Sequence, residues 1–363
     1  MPARKSASSG RSGAESSRPP SQASIRDVAA VAGVSLMTVS RATKQPDTVA
    51  PETLARVRAA MDQVGYVPNM AAVSLRMSQS RLVAAIVPTL ATHVFDAMLS
   101  SLGAVLAKNG YQVLIGQTQY QQGREEDLVR ATLGRRPDGI LVTGSVRNKA
   151  VRDLLAGSGI PVIEAGDLVR NHLDMAVGMS NEKMGAGVCG YLAGLGHRRL
   201  AIFSGDDERA QRRNKEFVRE AERLGLPPVH VALVPPPTSH GVGRQLMAEL
   251  LDRGPAPDAV YCGSDMTAAG VLTECRERGI AVPGDVAVVG TGDVDFAQVL
   301  YPPLTSVRVD GGRIGELAAS MFLDRFAGRP IEKKAVDVGF TIVERESTRA
   351  AAAPARKLAG RRR

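Results

Sequence analysis

The chain has 363 residues, which is the length of two or three ordinary domains. Hydrophobic residues make up 44% of it and charged residues 23%, and this composition excludes a chain that is disordered throughout. No segment approaches the roughly 18 apolar residues of a membrane span, and the N-terminus lacks the apolar stretch of a secretory signal. The three cysteines are too widely spaced to predict a disulfide framework or a metal site. We therefore expect a cytoplasmic protein without a membrane partner.

The formal net charge of +9 is concentrated at the two ends of the chain. Residues 1–22 carry four basic residues and one acidic residue, and residues 349–363 carry six basic residues and no acidic one. Residues 82–348 have a slight excess of acidic residues instead. This asymmetry predicts that the ends bind a polyanion, the alternative being basic tails that only aid solubility. The segments 1–22 and 350–363 are of low complexity and are expected to be disordered.

The first patterned segment predicts a three-helix module over residues 23–68. Ser24 and Asp27 have the spacing of a capping box at the start of a helix, and Gly33 supplies the turn before a second helix that Ser35 begins. A third helix is expected over residues 51–64. Two short helices joined by a glycine turn predict a helix-turn-helix. Its second helix carries hydroxyl and cationic groups that favour DNA binding over a module without a nucleic-acid role: Ser35, Thr38, Ser40 and Arg41.

From residue 82 onward, short β-rich segments alternate with helical ones. Ten such segments are found, at 83–88, 112–116, 139–143, 161–165, 175–179, 200–205, 231–235, 259–263, 286–291 and 306–310. This alternation predicts an α/β fold with parallel sheets covered by helices. Ten strands are enough for two sheets, and hence for two lobes. A ligand cleft is expected where the carboxyl ends of both sets of strands meet.

Several motifs resemble the lactose-repressor (LacI-type) family of bacterial transcription regulators. In the N-terminal part they are IRDVAAVAGVSLMTVSR and PETLARVRAAMDQVGYVPN, and in the larger part GLGHRRLAIFSG and AVYCGSDMTAAGVL. The resemblance covers residues 23–349. It implies an all-α helix-turn-helix headpiece at 23–68, a hinge helix and linker at 69–81, and a two-lobed core at 82–349 that resembles periplasmic sugar-binding proteins.

The resemblance also implies how the headpiece contacts double-stranded operator DNA. Leu36 and Met37 would meet thymine methyl groups in the major groove, and Arg41 would bind a guanine. In the hinge, Leu75 would wedge into a minor-groove step, and paired hinges would require a homodimer on a near-palindromic site. The remaining expected DNA contacts are Ser35, Thr38, Ser40, Lys44, Asn69 and Ala72. The C-terminal tail lacks the leucine-rich helix of the family's tetramers, which favours a dimer.

The core of such a regulator binds a small effector between its lobes. Position by position, the resemblance and the strand ends give eight candidate contacts: Phe95, Glu164, Arg209, Lys215, Ser264, Asp265, Thr291 and Asp293. Arg209 and Lys215 lie near the start of one helix and favour an anion, although a solvated charged face is the alternative. Gly292 stands where many sugar-binding members have an aspartate. Segments 173–181, 206–215 and 282–307 look most like gluconate-utilisation repressors, which predicts a sugar-acid effector; another sugar or metabolite is the alternative.

Residues 185–190 fit the GxGxxG pattern of dinucleotide-binding enzymes. In that fingerprint the first glycine turns directly off a strand. Here five residues intervene, so we expect these glycines inside a helix, where they allow close packing. The five histidines show no metal-ligand spacing, and the sequence contains no GxSxG nucleophile motif. We therefore expect no cofactor, no metal and no enzymatic activity, with an NAD-linked enzyme as a remote alternative.

Overall fold

A computed structural model describes residues 23–67, 79–90, 92–121, 123–146 and 148–348. The chain divides between Ser80 and Arg81 into two compact units. Within the described residues, no helix is long and apolar enough to cross a membrane. The predicted tails and residues 69–78 of the predicted hinge and linker lie outside the described residues.

The first unit contains three α-helices: α1 (Ile25–Ala32), α2 (Leu36–Lys44) and α3 (Pro51–Val64). The backbone N–H and the Oγ of Ser24 both donate to Oδ2 of Asp27, at 2.7 and 2.8 Å, and so fix the start of α1. Gly33 adopts a φ of +62° between α1 and α2, a conformation that glycine adopts without strain. The core of this unit consists of small and β-branched residues from all three helices: Val28, Ala29, Ala32, Val39, Ala42, Val57 and Ala60. The predicted helix-turn-helix is confirmed.

The second unit contains two six-stranded sheets, one in each of two lobes. The strands of the first sheet, in the order β11-β5-β4-β3-β1-β2, are all parallel. They are β1 (Leu82–Val87), β2 (Gln112–Gln117), β3 (Gly139–Thr143), β4 (Val162–Asp167), β5 (Met175–Met179) and β11 (Ala335–Asp337). Their central members are apolar and buried on both faces, as expected for strands that helices cover on both sides.

The second sheet has the order β12-β10-β9-β8-β6-β7, and only β12 runs antiparallel to its neighbour. Its strands are β6 (Leu200–Gly205), β7 (His230–Val234), β8 (Ala259–Cys262), β9 (Ala287–Thr291), β10 (Thr305–Arg308) and β12 (Thr341–Val343). The predicted two-lobed α/β core is confirmed, and each of the ten predicted strands is present. Two further strands, β11 and β12, were not predicted; each has three residues and lies at the edge of a sheet.

Eight α-helices lie beside these sheets in the described part of the second unit. They are α4 (His93–Lys108), α5 (Arg124–Leu133), α6 (Lys149–Gly157), α7 (Asn181–Gly194), α8 (Glu208–Arg223), α9 (His240–Arg253), α10 (Asp265–Glu277) and α11 (Gly311–Phe326). Helix α11 packs on α4 in the first lobe, and α7 packs on α8 in the second. The chain therefore passes between the lobes three times, after β5, after β10 and after β11.

The glycines at 185–190 lie inside α7, as the sequence analysis expected. A Cβ atom on Gly185 would lie 2.0 Å from the carbonyl oxygen of Arg213 on α8, and one on Gly187 would lie 2.9 Å from the ring of Phe340. These glycines therefore let α7 approach its neighbours closely, and none of them turns off a strand.

Candidate DNA-binding surface and effector site

Helix α2 exposes one face that is rich in apolar and hydroxyl groups. Leu36 is 46% and Met37 is 69% exposed, although both are large apolar side chains, and Arg41 is exposed one helical turn after Met37. Val39 and Ala42, on the other side of α2, are buried in the headpiece core. This arrangement leaves Leu36, Met37 and Arg41 free to meet a partner.

Hydroxyl groups cap the same helix. The Oγ of Ser35 accepts a hydrogen bond from the backbone N–H of Thr38 at 3.1 Å and lies 2.9 Å from the Thr38 Oγ1. Ser40 is partly buried on the next turn. The side chain of Lys44, together with Asn69, Ala72 and Leu75, lies outside the described residues, so the roles implied for them stay predictions.

Between the two lobes of the core lies a cavity of about 260 Å³. Both lobes line it, and its walls include the first residues of four helices, α4, α7, α8 and α10. Its polar and aromatic lining includes Thr92, Phe95, Tyr120, Asn181, Asp207, Arg209, Arg213, Ser264, Asp265 and Thr291. A second cavity of about 230 Å³ adjoins it and shares Tyr120, Asp207 and Arg209. Five of the eight predicted effector contacts therefore line the larger cavity: Phe95, Arg209, Ser264, Asp265 and Thr291.

Arg209 reaches from the second lobe to the first. Its guanidinium lies over the ring of Phe95, 5.1 Å from the ring centroid, in a cation–π geometry. Its Nε lies 3.2 Å from Oδ1 of Asp207, which caps α8. Burial acts to raise the pKa of Asp207, but the Arg209 and Arg213 guanidiniums outweigh it and leave that pKa below its usual value. Arg209 and Asp207 thus form an ion pair at the N-terminus of α8.

Arg213 places a second guanidinium deeper in the same wall. It is 8% exposed, its Nη2 donates to Oγ of Ser204 at 3.2 Å, and its guanidinium lies over the ring of Tyr261 at 5.8 Å. Within the described residues, no carboxylate lies within 4.0 Å of it and its Nε has no hydrogen-bond partner. Its charge lowers the pKa of Asp207, but its buried Nε is left as a donor without an acceptor, and an anion in the cavity could supply one.

Arg212, between these two arginines in the sequence, pairs with a carboxylate of the first lobe and also lies 3.7 Å from Glu182 and 3.9 Å from Glu208. It forms an ion pair with Asp167, which is fully buried at the end of β4. Asp167 also accepts a hydrogen bond of 2.9 Å from Nδ2 of Asn181. The resulting cluster ties the first lobe to both α7 and α8.

Acceptors and hydroxyl groups of the second lobe also line the cavity. Asp265 is 1% exposed and accepts from Oγ of Ser306 at 2.6 Å and from the N–H of Val294 at 2.9 Å. Burial raises its pKa. The Oγ of Ser264 accepts from the N–H of Thr267 and so caps α10. Thr291 Oγ1 donates to the carbonyl oxygen of Cys262 at 3.0 Å.

Three predicted effector contacts do not line the cavity, and the structure gives a physical reason for the position of each. Lys215 is exposed, because a position six residues after Arg209 points to another side of the helix. Both carboxylate oxygens of Glu164 accept backbone N–H groups at 2.6 Å, from Val146 and Leu173. Asp293 is held by ion pairs with two arginines, at 2.5 Å from Arg308 and 2.7 Å from Arg345.

Two residues of the cavity lining, Arg213 and Asn181, are not among the contacts predicted from the sequence. Arg213 follows Arg209 by four residues, the spacing that places two side chains on one face of a helix, and this signal was available. Asn181 carried no such signal, because its position depends on how β4 and α7 meet across the lobes. Gly292 has a φ of +125°, and a Cβ there would lie 3.4 Å from Oδ2 of Asp265. This backbone strains any other residue, an aspartate included. Within the described residues, no group of three or more His, Cys, Asp or Glu residues is arranged to hold a metal ion.

A helix-turn-helix joined to a two-lobed core with an internal cavity defines a DNA-binding regulator with a small-molecule site. Residues 24–69 match the family described as bacterial regulatory proteins, lacI family, and residues 189–348 match the periplasmic binding protein-like domain. The chain belongs to the LacI family of bacterial regulatory proteins. It is a DNA-binding transcriptional repressor that a small-molecule effector regulates, and its relatives are regulators rather than enzymes, which removes the NAD-linked alternative.

Curated relatives and solved structures agree with this assignment. The chain is 37% identical over 326 residues to the HTH-type transcriptional regulator GntR of Pseudomonas aeruginosa, and the match covers 89% of this chain and 95% of that protein. It is similar in structure to a LacI-family regulator from Silicibacter pomeroyi, with a TM-score of 0.85, 30% identity, and coverage of 90% of this chain and 100% of that one. It is also similar to the transcription regulator GntR of Chromobacterium violaceum, with a TM-score of 0.70, 32% identity, and coverage of 74% and 99%.

Proposed function

We propose that this protein represses transcription from a near-palindromic operator as a homodimer, and that a sugar acid of the gluconate class bound between the core lobes releases it. The observation that carries the effector class is Arg213, a buried guanidinium in the cavity wall whose Nε has no hydrogen-bond partner among the described residues. A carboxylate ligand would satisfy it, and Arg209 lies four residues away on the same helix face. The relatives named GntR and the sequence resemblance to gluconate-utilisation repressors support the same class.

The cavity also suits the rest of such a molecule. A sugar acid carries several hydroxyl groups, and the second lobe, which also supplies Arg213, offers the Asp265 carboxylate and the hydroxyls of Ser264 and Thr291 in the cavity lining.

On the DNA side, we propose that α2 lies in the major groove of the operator. Leu36 and Met37 would contact thymine methyl groups, and Arg41 would donate to a guanine. Ser35, Thr38 and Ser40 would lie near phosphates. The effector would act by favouring a lobe arrangement with weaker operator affinity, because a ligand shifts an equilibrium only by its differential affinity for the two states.

Thermal unfolding of the full chain tests the effector class. Ligand bound to the native state raises the midpoint in proportion to RT ln(1 + [L]/Kd). We expect a rise with gluconate, 2-ketogluconate or 6-phosphogluconate and none with neutral sugars or NAD. Arg213→Gln should abolish the rise, whereas Lys215→Gln, a matched cation on the exposed side of α8, should leave it unchanged. A rise with a neutral sugar alone would refute the sugar-acid proposal.

A further inference from the structure

The side-chain amide of Asn181 lies where the two lobes meet, and a hydrogen bond to Asp167 determines the orientation of its nitrogen and its oxygen. Asn181 is the first residue of α7, is 1% exposed and lines the cavity. Its amide is 2.9 Å from Oδ1 of Asp167. The other oxygen of Asp167 is paired with the Arg212 guanidinium, and a carboxylate in such a pair only accepts hydrogen bonds.

The consequence is that the oxygen of the Asn181 amide points away from Asp167. The atom nearest an acceptor must be the NH₂ group, so Nδ2 is directed at Asp167 and Oδ1 faces away from it, on a residue that lines the cavity. Oδ1 is buried and has no hydrogen-bond partner within the described part of the chain. A buried acceptor without a donor is costly, so a ligand that supplies a donor at this point gains affinity.

We propose that Asn181 reads one hydroxyl group of the effector, and that Asp167 and Arg212 are positioning residues that hold its amide in the accepting orientation. This inference rests on the proposed sugar-acid effector, whose carboxylate would occupy Arg213. A hydroxyl group can donate to Oδ1 of Asn181, whereas a keto or phosphate oxygen at the same carbon brings a second acceptor to it. The site therefore selects a hydroxyl over a carbonyl at one carbon of the chain.

Calorimetric titration of the full chain with gluconate and its monodeoxy analogues tests this reading. We expect the analogue that lacks the hydroxyl at this carbon to bind the wild-type protein about tenfold more weakly than gluconate. In Asn181→Leu that analogue and gluconate should bind equally. Asn181→Ala, which only removes atoms, serves in the same series if the leucine variant does not fold. Asp167→Asn should also reduce the discrimination, because the Asn181 amide is then free to turn.

The control is Asn214→Leu, a buried asparagine of α8 that is not part of the cavity lining. It should leave the ratio of the two affinities as in the wild type. If Asn181→Leu still binds gluconate and leaves the ratio of the gluconate and deoxy-analogue affinities unchanged, the role of Asn181 is refuted. The sugar-acid effector would then still stand. Failure of every sugar acid to bind the wild-type protein would refute the effector class, and this inference with it.

Discussion

The ion pair between Asp167 and Arg212 makes the strongest prediction about what holds the two lobes together. Asp167 is fully buried at the end of β4 in the first lobe, and the side chain of Arg212, from α8 in the second lobe, is 14% exposed. We consider Arg212→Met, which keeps much of the length of the side chain and removes its charge. The variant leaves a buried carboxylate with the amide of Asn181 as its remaining partner among the hydrogen bonds described.

Removing one partner of a buried ion pair costs about 3–5 kcal/mol, because the other charge stays buried without compensation. For a core of this size that corresponds to a fall in the melting temperature of roughly 5–15 °C. Because the penalty belongs to the uncompensated charge, the double variant Arg212→Met with Asp167→Asn should recover a large part of the loss. The pair should therefore show a coupling energy above about 1 kcal/mol in a double-mutant cycle.

Differential scanning calorimetry of the four proteins measures this directly. The matched control is Lys149 and Asp153, an ion pair at 2.6 Å whose side chains are 89% and 63% exposed. Lys149→Met should leave the melting temperature unchanged within error, because exposed pairs contribute little. If Arg212→Met proved as harmless as this control, or if the losses from Arg212→Met and Asp167→Asn simply added, the reasoning on the buried pair would be wrong.

Three further predictions concern helix packing, pH and DNA. Gly185→Ala should destabilise the core by about 1–3 kcal/mol, because its Cβ would lie 2.0 Å from a backbone oxygen of α8. Gly103→Ala, whose Cβ would have no atom within 4 Å, should instead stabilise the core by about 0.5–1 kcal/mol. Equal changes in the free energy of unfolding of the two variants, measured by chemical denaturation, would contradict the packing argument. Backbone and hydroxyl hydrogen bonds from Ser24 lower the pKa of Asp27, so the protection that Asp27 gives to α1 is present above pH 3.8 and is lost as the pH falls through the lower folded-state pKa. Hydrogen exchange of α1 in Asp27→Asn should accordingly differ from the wild type at pH 7 and converge with it in acid; a difference that persisted in acid would exclude this origin. Met37→Ala should weaken operator binding by about 1 kcal/mol, measured by fluorescence anisotropy titration. If Met37 contacts a thymine methyl group, replacing that thymine with uracil should remove the difference in affinity between the variant and the wild type. A difference that uracil leaves unchanged would place Met37 away from thymine.

Local patterns were sufficient to predict most of the helices and strands and the two-lobed architecture with parallel sheets. The bounds of α3 follow from Pro51 at its first turn and from the glycine after Val64. The parallel sheets follow from buried apolar segments that alternate with helices. Strands β11 and β12 were missed because they are three residues long, and a segment of that length carries no periodicity.

The effector site was predicted less completely than the fold. Phe95, Arg209, Ser264, Asp265 and Thr291 lie at strand ends or helix starts, which is where the topology places a cleft. Glu164 was expected at the end of a strand, but it lies inside β4, and its carboxylate accepts two backbone N–H groups that the sequence gives no sign of. The place of Asn181 in the site could not be predicted from the sequence, because it depends on the side chains of Asp167 and Arg212, which come from other elements.

The most direct test of the account is the affinity of the full chain for its operator with and without gluconate. The operator can be selected from genomic fragments by the protein itself, and binding can be followed by fluorescence anisotropy at fixed salt, because salt alone changes such affinities steeply. We predict that saturating gluconate weakens operator binding at least tenfold in the wild type and leaves binding by Arg213→Gln unchanged. Operator affinity that gluconate leaves unaltered in the wild-type protein, or raises, would contradict the proposed induction by a sugar acid.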